Sequence, residues 1–436
     1  MVGSGIAGLS AAWLLSHRHD VSVFEKDGWA GGHANTVDVE TPFGPVAVDT
    51  GFICFNRPNY PNLTALFEHL GVPTKTTSMS FAASVRGGQI EYSSADINGL
   101  IGHRGNLIRP RFWFMLRDIV RFYAKARTMA DGAHLDGITL GAFLDREGYS
   151  RGLVEDHVLP MCAAIWSTSA KDIRDYPLRA YLRFFSNHGL LDIGEQQRWH
   201  TVEGGSRTYV GKLTASFADR IALASPARSI RRDGEGVTVI DGAGRAHRFD
   251  DVVIAAHADE ALGLLADADG EERRLLGAFR YTQNRAVLHD DPALMPRRRR
   301  VWASWNYIGG REEAGERPLC VSYWMNHLQG LDPRQPLFVT LNPIRDPRPG
   351  TVKAEFDYAH PLFDAAALKA QEELWSLQGR RNTWFCGSYF GYGFHEDGLQ
   401  AGLAVAEQLG GVRRPWTVAN ESGRIGLKPL AMVAAE

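Results

Sequence analysis

The stretch MVGSGIAGLSAAWLL at residues 1–15 decides the fold, because Gly3, Gly5 and Gly8 in it follow the spacing G-x-G-x-x-G. In dinucleotide-binding folds such a loop joins a strand to a helix and lets the backbone approach a pyrophosphate. Residues 9–15 are good helix formers with an apolar face, which predicts that helix. The residues of the loop expected to contact the dinucleotide are Gly3, Ser4, Gly5, Ile6, Ala7 and Gly8.

The strand before the loop is short, since only Met1 and Val2 precede Gly3. We expect a chain trimmed by several residues, in which Val2 is the last residue of the first strand. The loss of strand residues beside the loop is then expected to lower retention of the dinucleotide.

The composition is that of an ordinary globular protein, with 436 residues, 44% hydrophobic, 22% charged and a net charge of −2. The length suits two domains or one large interleaved domain, and the near-neutral charge gives no reason to expect a nucleic-acid partner. The four cysteines lie far apart without metal-ligand spacing, so we expect reduced thiols, no metal and a cytoplasmic location. No signal peptide and no apolar run of about 18 residues is recognisable, so no membrane-spanning segment is expected.

The segment HDVSVFEKD at residues 19–27 predicts a second strand, Val21–Phe24, that ends in an acid. Glu25 follows Gly8 by 17 residues, close to the offset of about 20 for a carboxylate that binds ribose hydroxyls. Such a carboxylate repels a 2′-phosphate, which disfavours NADP. Lys26, beside it, is included in the candidate cofactor site. The alternative is that Glu25 is a solvated acid at the end of a strand.

The next stretch, GWAGGHANTVDVETPFGPVAVDTGFICFN at residues 28–56, resembles the flavin amine oxidase superfamily, which includes amine oxidases, protoporphyrinogen oxidase and phytoene-type desaturases. That superfamily carries G-G-R-x-x-T after the ribose acid and D-x-G on a strand. The positions that match are Gly31, Gly32, Thr36, Asp49 and Gly51, with Phe52 next to them. His33 replaces the usual arginine and cannot make its bidentate charged contact. The resemblance implies non-covalent FAD; covalent attachment through His33 is the alternative.

The segment NTWFCGSYFGYGFHEDGLQAGLAVAEQLGG at residues 382–411 predicts a strand, Thr383–Cys386, and a helix, Gly398–Leu409. A helix N-terminus carries partial positive charge and free N–H groups. The superfamily aims this helix end at the flavin ring, where negative charge collects on reduction. The resemblance places Gly387, His395, Glu396, Asp397 and Gly398 against the ribityl chain and ring. The alternative is a surface helix capped by Asp397.

A third segment, residues 222–257, contains short strands separated by the turns Asp233-Gly234 and Asp241-Gly242 and ends in an apolar run, Val252–Ala255. In the superfamily such a segment completes the FAD-binding domain, and the residue matching Ala227 contacts adenine through its backbone. Two half-sites far apart in sequence, both in family order, favour FAD over NAD.

These observations predict an α/β (α+β) protein in which a Rossmann-like FAD-binding domain of the glutathione-reductase/amine-oxidase type is interleaved with a mixed sheet-plus-helix substrate domain. The FAD-binding domain is predicted from residues 1–75, 200–260 and 380–436. The substrate domain is predicted from residues 76–199 and 261–379, with the second part mostly sheet.

Several long stretches, among them GFICFNRPNYPNLTALFEHLGV (51–72), YPLRAYLRFFSNHGLL (176–191) and GYGFHEDGLQAG (391–402), resemble a bacterial subgroup of amine-oxidase-like proteins. This subgroup is associated with enzymes that methylate or cyclopropanate phospholipid acyl chains and with furan fatty acid formation. The resemblance implies a lipid or fatty acyl substrate and a lipid-modifying methyltransferase as partner. Phe394 stands where amine oxidases carry a tyrosine beside the flavin, and a phenylalanine there fits an apolar substrate at least as well as an amine.

The expected chemistry is desaturation, in which an allylic hydride passes to flavin N5 and a base removes the neighbouring proton. His395, Tyr392 and Glu396 are the candidate bases by location, and Asn187-His188 is a weaker candidate pair. No Ser-His-Asp spacing, Walker loop or H-E-x-x-H appears, which excludes the corresponding hydrolase, NTPase and zincin readings. Two alternatives stay open: an oxidase of amines or another small substrate, and a redox-silent FAD-bound accessory protein that presents lipid to a methyltransferase.

Residues 104–127 combine arginines with an apolar face on a helix that Pro110 is expected to open. The apolar positions predicted for that face are Phe112, Trp113, Met115, Leu116, Ile119, Val120 and Phe122. A basic, aromatic amphipathic helix lies in an anionic membrane surface, which predicts peripheral contact with the inner face of the membrane. The alternative is a core helix with solvated arginines. The basic turn at residues 296–300 is expected to assist.

Overall fold

The computed structural model describes residues 1–129, 135, 137–166, 170–191, 197–310 and 320–427. The strands are β1 (Val23–Phe24), β2 (Thr36–Val39), β3 (Val46–Asp49), β4 (Phe55–Asn56), β5 (Thr74–Thr77), β6 (Phe81–Val85), β7 (Ile90–Ser93), β8 (Trp199–Val202), β9 (Ile221–Ala222), β10 (Ala227–Arg232), β11 (Val237–Asp241), β12 (Ala246–Phe249), β13 (Val252–Ile254), β14 (Arg280–His289), β15 (Trp305–Ile308), β16 (Val321–Trp324), β17 (Phe338–Leu341), β18 (Val352–Leu362) and β19 (Thr383–Phe385).

The helices are α1 (Ile6–Leu15), α2 (Pro61–His69), α3 (Ile97–Leu100), α4 (Pro110–Met129), α5 (Leu140–Arg146), α6 (Arg151–Leu153), α7 (Leu159–Trp166), α8 (Ala170–Asp175), α9 (Leu178–Asn187), α10 (Arg207–Thr214), α11 (Ala258–Leu264), α12 (Gly270–Leu276), α13 (Met325–Leu328), α14 (Ala365–Leu374) and α15 (His395–Gln408). Among the residues described, no helix combines the length and the apolar character needed to cross a bilayer.

A parallel sheet carries the glycine loop. Val2 forms parallel bridges with Phe24 of β1 and Ile254 of β13, β1 pairs with β9, and β13 pairs with β19. The spatial order is therefore β9-β1-Val2-β13-β19, with Val2 in the middle. The chain then turns through the glycines into α1, which is buried along its whole length because it lies between the sheet and α15.

The remaining strands form two larger groups. β10, β11 and β12 make the antiparallel meander predicted from the turn residues at 233–234 and 241–242. A seven-stranded mixed sheet has the order β18-β14-β17-β16-β15-β6-β7. β14 and β18 pair over most of their lengths, and β15 and β6 are parallel neighbours. This sheet comes from the two segments predicted for the substrate domain.

The division into five segments stays a prediction. β5 crosses the predicted boundary at residue 75, because it pairs with β8 beside β4 in a small three-stranded sheet. Residues 130–134, 136, 167–169, 192–196 and 311–319 of the predicted substrate domain and 428–436 of the predicted FAD-binding domain lie outside the described residues.

Several predicted element ends differ from the structure. β1 begins at Val23 rather than Val21, β13 ends at Ile254, and β19 ends at Phe385. The predicted helix Gly398–Leu409 begins at His395 instead, so Asp397 is not its N-cap. Phe394 holds the N-cap position, and Asp397 accepts a hydrogen bond from the backbone N–H of Phe394 at 2.8 Å. Because of this contact, the helix begins three residues earlier than the apolar pattern indicated.

Pro110 opens α4 as predicted, but the apolar residues of this helix do not share one face. Phe112, Met115 and Phe122 are buried, whereas Trp113 and Val120 are exposed. The predicted single face was therefore wrong: α4 packs one stripe against the core and presents other apolar residues to solvent.

Glu396 ties α15 to the first turn of α2. Its carboxylate accepts hydrogen bonds from the backbone N–H groups of Asn62 (3.1 Å) and Leu63 (3.0 Å), from the Asn62 side chain (2.8 Å) and from Gln400 (2.9 Å). Burial raises the pKa of this carboxyl, which these donors and Arg424 oppose. The acid stands at a helix N-terminus, where backbone N–H groups need acceptors.

Replacing Glu396 with alanine should lower the free energy of unfolding by about 3 kcal/mol, because the donors on α2 lose a buried acceptor. The matched control is Glu372→Ala on α14, an exposed glutamate, for which a change within about 0.5 kcal/mol is expected. Urea unfolding of both variants measures the difference. Equal losses would show that the Glu396 contacts do not hold α15 in place.

Candidate cofactor and active site

One side of the glycine loop is packed against other backbone atoms, and the other side faces free space. Gly3 adopts φ +98°, and a Cβ there would lie 2.6 Å from the carbonyl oxygen of Ala255. A Cβ on Gly8 would collide with the carbonyl oxygen of Gly3. A Cβ on Gly5, by contrast, would meet no protein atom within 4 Å. The closed side packs the strand against the helix, and the open side at Gly5 leaves room for a pyrophosphate at the N-terminus of α1.

The acid predicted to bind ribose lies beside this loop. Glu25 follows β1 and is buried, and one of its oxygens accepts hydrogen bonds from the backbone N–H (2.8 Å) and the hydroxyl of Ser4. The other oxygen accepts from the backbone N–H of Asp27 at 2.8 Å. Only the oxygen that contacts Asp27 has a further lone pair, so the contact with ribose stays a prediction. Lys26 is exposed and forms an ion pair with Glu260.

Gly31 and Gly32 bring His33 against the loop. Gly31 forms a parallel bridge with Gly5, and a Cβ on Gly32, which has φ +57°, would lie 3.1 Å from Cα of Gly5. The ring of His33 is 4.8 Å from that of Tyr358. Burial and the neighbouring imidazoles lower the pKa of His33 well below its ordinary value. A neutral imidazole thus occupies the place of the family's arginine.

Sequence reasoning missed two further histidines at this position. The ring of His360, on β18, is 5.7 Å from the ring of His33, and the ring of His257, after β13, is 6.2 Å away. Burial lowers the pKa of His360 to about 4 and also lowers the pKa of His257. His257 and His360 come close to His33 only because strands far apart in sequence pair with one another. No short stretch of sequence around either histidine therefore indicates this contact. Within the described parts of the chain, no cluster of His, Cys, Asp or Glu could hold a metal ion.

Asp49 organises the segment between Thr36 and Phe52. It accepts hydrogen bonds from the Thr36 hydroxyl (2.6 Å), from the backbone and hydroxyl of Ser206 (both 2.8 Å) and from Gln329 (2.9 Å). Burial raises the pKa of Asp49 to about 6 against these donors. A Cβ on Gly51 would collide with the carbonyl oxygen of His33. Thr36, Asp49 and Gly51 therefore shape the chain around the site.

The N-terminus of α15 presents aromatic groups. Phe52 stacks on His395 with ring centroids 3.9 Å apart and 11° between the planes. Nε2 of His395 is 2.6 Å from the hydroxyl of Tyr209, and burial lowers the pKa of the imidazole to about 3. The ring of Tyr392 lies 5.8 Å from the guanidinium of Arg424. Of the predicted bases, His395 contacts the hydroxyl of Tyr209, and Glu396 accepts hydrogen bonds from the first turn of α2. The catalytic roles of both residues stay predictions.

Phe394 meets α9 and His188, the residue after it; sequence reasoning treated Asn187-His188 as a weaker candidate pair and missed Phe184. The ring of Phe184 stacks on Phe394 at 5.1 Å, and the ring of His188 is 4.0 Å from Phe184 and 5.8 Å from Phe394. Nδ1 of His188 lies 2.9 Å from the carbonyl oxygen of Phe184, whereas its buried Nε2 has no hydrogen-bond partner. Because a carbonyl only accepts, Nδ1 carries the proton and Nε2 has a free lone pair. Burial lowers the pKa of His188 to about 4.

The site therefore combines an open glycine loop, a ribose-side acid and a helix N-terminus lined by aromatic rings. A sequence profile of the family described as flavin containing amine oxidoreductase matches residues 6–283, more than half of the chain. The chain belongs to this family. Its cofactor is accordingly FAD, and the open side of Gly5 and the cluster at the α15 N-terminus fit that group.

Individual relatives agree with the family. AofH of Mycobacterium tuberculosis, which is named as a flavin-containing monoamine oxidase, is 27% identical over 254 residues. That match covers 56% of this chain and 54% of AofH, so the chain matches about half the length of this curated relative.

Solved structures confirm the predicted fold class. Cyclohexylamine oxidase from Brevibacterium oxydans IH-35A superposes with a TM-score of 0.65 at 17% identity, over 94% of this chain and 98% of that one. A CLA-producing fatty acid isomerase from P. acnes superposes with a TM-score of 0.63 at 14% identity, over 94% and 96%. At these identities the likeness concerns the fold alone.

The remaining predicted cofactor contacts lie on the same elements. Ala227 is the first residue of β10, and Gly387 follows β19. Gly398 faces α1, since a Cβ there would lie 3.1 Å from Cγ2 of Ile6. When bound, FAD supplies a two-electron acceptor; residues 3–8, Glu25 and the α15 N-terminus are the groups placed to hold it. Contacts of single residues with the cofactor stay predictions.

Gly5→Ala should weaken FAD binding on the order of tenfold or more, because the added methyl group occupies the open side of the loop. The backbone of Gly5 (φ −67°, ψ 176°) accepts alanine, so thermal stability of the flavin-free protein should hardly change. The control is Gly211→Ala on α10, where a Cβ also meets no protein atom within 4 Å. Flavin content after dialysis and titration with FAD measure both; unchanged affinity in Gly5→Ala would remove the loop from the cofactor site.

Proposed function

We propose that this protein is an FAD-dependent oxidoreductase that desaturates an unsaturated or methylated fatty acyl chain. The observation that carries the proposal is the apolar wall of Phe184 and Phe394 with the unpartnered Nε2 of His188 beside it. The acids closest in sequence to Phe394 do not serve this wall. Glu396 turns to α2, and Asp397 turns to the backbone N–H of Phe394 and to Arg424.

This wall suits a hydrocarbon better than an ammonium group. A cationic amine taken from water needs a carboxylate or aromatic faces with acceptors, whereas an acyl chain gains free energy from burial against aromatic rings. The imidazoles of His188 and His395 are neutral at physiological pH, because burial holds their pKa values at about 4 and about 3. The site thus offers apolar surface and a neutral base.

Desaturation requires loss of a hydride and of a proton from neighbouring positions of the acyl chain. FAD, held by the glycine loop and the α15 N-terminus, would supply the acceptor for a hydride, with its two electrons, from an allylic C–H bond of the substrate. Nε2 of His188 accepts the proton from the carbon beyond the double bond, and the remaining electron pair completes a conjugated diene. Phe184 and Phe394 exclude water and hold the chain in an extended path.

The relatives support two substrate classes. The fatty acid isomerase of P. acnes shares the fold, and its name states an acyl substrate. AofH and the cyclohexylamine oxidase carry amine names, so amine oxidation is the second candidate function. The two candidates differ in which compound reduces the flavin.

An anaerobic absorbance titration tests the proposal. Phospholipids with methylated unsaturated acyl chains should bleach the long-wavelength flavin band and produce diene absorbance, whereas primary amines should not, because the site lacks a dedicated anionic partner near Phe394 among the described residues. Bleaching by amines alone would replace the proposal with amine oxidation. Double-bond migration without lasting bleaching would indicate an isomerase, and no response to either would indicate an accessory role.

His188→Gln should slow diene formation roughly 10²–10³-fold, since glutamine keeps the size but offers no basic nitrogen. Flavin content and melting temperature should stay close to those of the unaltered protein. His17→Gln is the matched control, because Nδ1 of His17 also lies 2.8 Å from a carbonyl oxygen four residues earlier, at an exposed helix end. Stopped-flow diene absorbance measures the rate; an unchanged rate in His188→Gln would assign the proton to another group.

A further inference from the structure

Large apolar side chains are exposed on one short part of the chain. Among the described residues, six of the eleven exposed large hydrophobic side chains lie between residues 97 and 120. They are Ile97 (73% exposed), Leu107, Ile108 (86%), Trp113, Phe114 and Val120. This concentration is the feature that the proposed oxidation does not use.

These side chains occupy α3, a short 3-10 turn at Arg104–Ile108 and the outer side of α4. The indole N–H of Trp113 donates to the carbonyl oxygen of Leu107 at 2.9 Å, which fixes this ring against the turn. The guanidinium of Arg117 lies 5.2 Å from the ring of Phe114. We call the surface formed by Ile97, residues 104–109 and the outer side of α4 the apolar-basic patch.

Basic residues surround the apolar ones. Residues 97–127 contain seven lysines and arginines and a single acid, Asp118. Asp118 is buried and pairs with Arg117 and Arg121, which nevertheless keep 61% and 44% of their side chains exposed. The basic turn at 296–300 adjoins the patch, since a Cβ on Gly102 would lie 3.3 Å from Cγ of Arg300.

The acids near the patch pair with arginine or lysine, except the exposed Asp96, whose carboxylate accepts a hydrogen bond from the backbone N–H of Gly99 at 2.6 Å. Glu155 and Asp156 pair with Arg111, Glu147 with Lys125, and Glu91 with Arg298. Basic side chains therefore outnumber acidic ones on this surface. Aromatic and aliphatic side chains projecting among arginines match the headgroup boundary of an anionic bilayer, where tryptophan and arginine are both favoured.

We propose that the apolar-basic patch docks the protein on an anionic phospholipid membrane. A second copy of the chain fits this surface poorly, because a two-fold contact would set the arginine-rich patch against itself. Docking goes beyond the proposed function and does not depend on which bond is oxidised.

The fold connects the patch with the site. The ring of Phe122, on the inner side of α4, is 6.0 Å from that of Tyr181 on α9. On the same helix, Phe184 stacks on Phe394. α9 thus runs from the helix that carries the patch to the aromatic wall. If the acyl-chain function holds, this is the route by which docking would bring substrate to FAD.

Vesicle flotation of the FAD-loaded full chain tests the docking. Vesicles of phosphatidylcholine with phosphatidylglycerol should bind the protein, and phosphatidylcholine alone should bind it at least about tenfold more weakly. Raising the salt from about 0.15 M to about 1 M should release much of the bound protein, because screening weakens the arginine contribution.

Paired variants separate the two contributions. Ile108→Ser with Phe114→Ser should weaken binding about tenfold or more, and Arg104→Gln with Arg300→Gln should weaken it by a similar factor. The matched controls are Leu223→Ser with Val352→Ser and Arg231→Gln with Arg273→Gln, which alter exposed residues outside the patch. Control variants should bind as the unaltered protein does, and all variants should keep their FAD and melting temperature.

Absence of binding to anionic vesicles, or equal losses in patch and control variants, overturns the docking. Dimers in light scattering that Phe114→Ser dissociates would assign the patch to self-association instead and also overturn it. Because flotation needs no turnover, its failure is distinguishable from failure of the acyl-chain function. If the protein oxidises acyl chains in detergent but does not bind vesicles, only the docking proposal is overturned. If it binds vesicles but its flavin is reduced only by amines, the docking proposal stands and the acyl-chain function is overturned.

Discussion

The contact between α1 and α15 fixes both halves of the cofactor site. Gly398 and Gly402 lie one turn apart on α15, and a Cβ on Gly402 would collide with the carbonyl oxygen of Ala7. The two helices can approach this closely only because the glycines have no side chain at the crossing. The N-terminus of α1 carries the glycine loop, and that of α15 carries Phe394 and His395. One packed contact therefore sets the distance between the pyrophosphate end and the flavin end of the site, and both ends receive the positive pole of a helix.

The buried acids of the site are surrounded by hydrogen-bond donors, and its histidines are neutral because burial lowers their pKa values. Asp49 and Glu396 each accept several hydrogen bonds, which offsets the cost of removing a carboxylate from water. The family's arginine is absent at His33, and burial keeps the pKa of its imidazole low. The helix termini then become the main positive features beside the expected pyrophosphate, because Lys26 is paired with Glu260 and Arg424 with Asp397.

The sequence predicted the parts of the site that have local patterns. The three loop glycines, the acid after β1 and the helix near the C-terminus each have a short signal, and the structure places the acid against Ser4 of the loop and the helix against α1. The start of α15 at His395 escaped prediction because the Asp397 carboxylate accepts a hydrogen bond from the backbone N–H of Phe394, a contact that apolar periodicity does not encode. His257, His360 and Phe184 reach the site only through pairing and packing across long separations, so no single stretch could reveal them. The apolar residues of α4 were recognised, but periodicity alone did not show which of them face the core.

α9 joins the two features on which the proposed function and the proposed docking rest, the aromatic wall and α4. Tyr181 packs against Phe122 of α4, and Phe184 and His188 pack against Phe394. Side chains three and four residues apart share a helix face, so α9 turns one aromatic stripe toward α4 and the flavin end together. Because α9 packs against both α4 and Phe394, the distance and orientation between α4 and the aromatic wall are fixed. If α4 docks on a surface, the wall therefore lies at a fixed position relative to that surface. Under the proposed function, a long, flexible acyl chain would gain from such a fixed path, because a rigid wall would select which carbon reaches FAD, whereas a compact amine could be placed by a single ion pair and would need no aromatic path of this length.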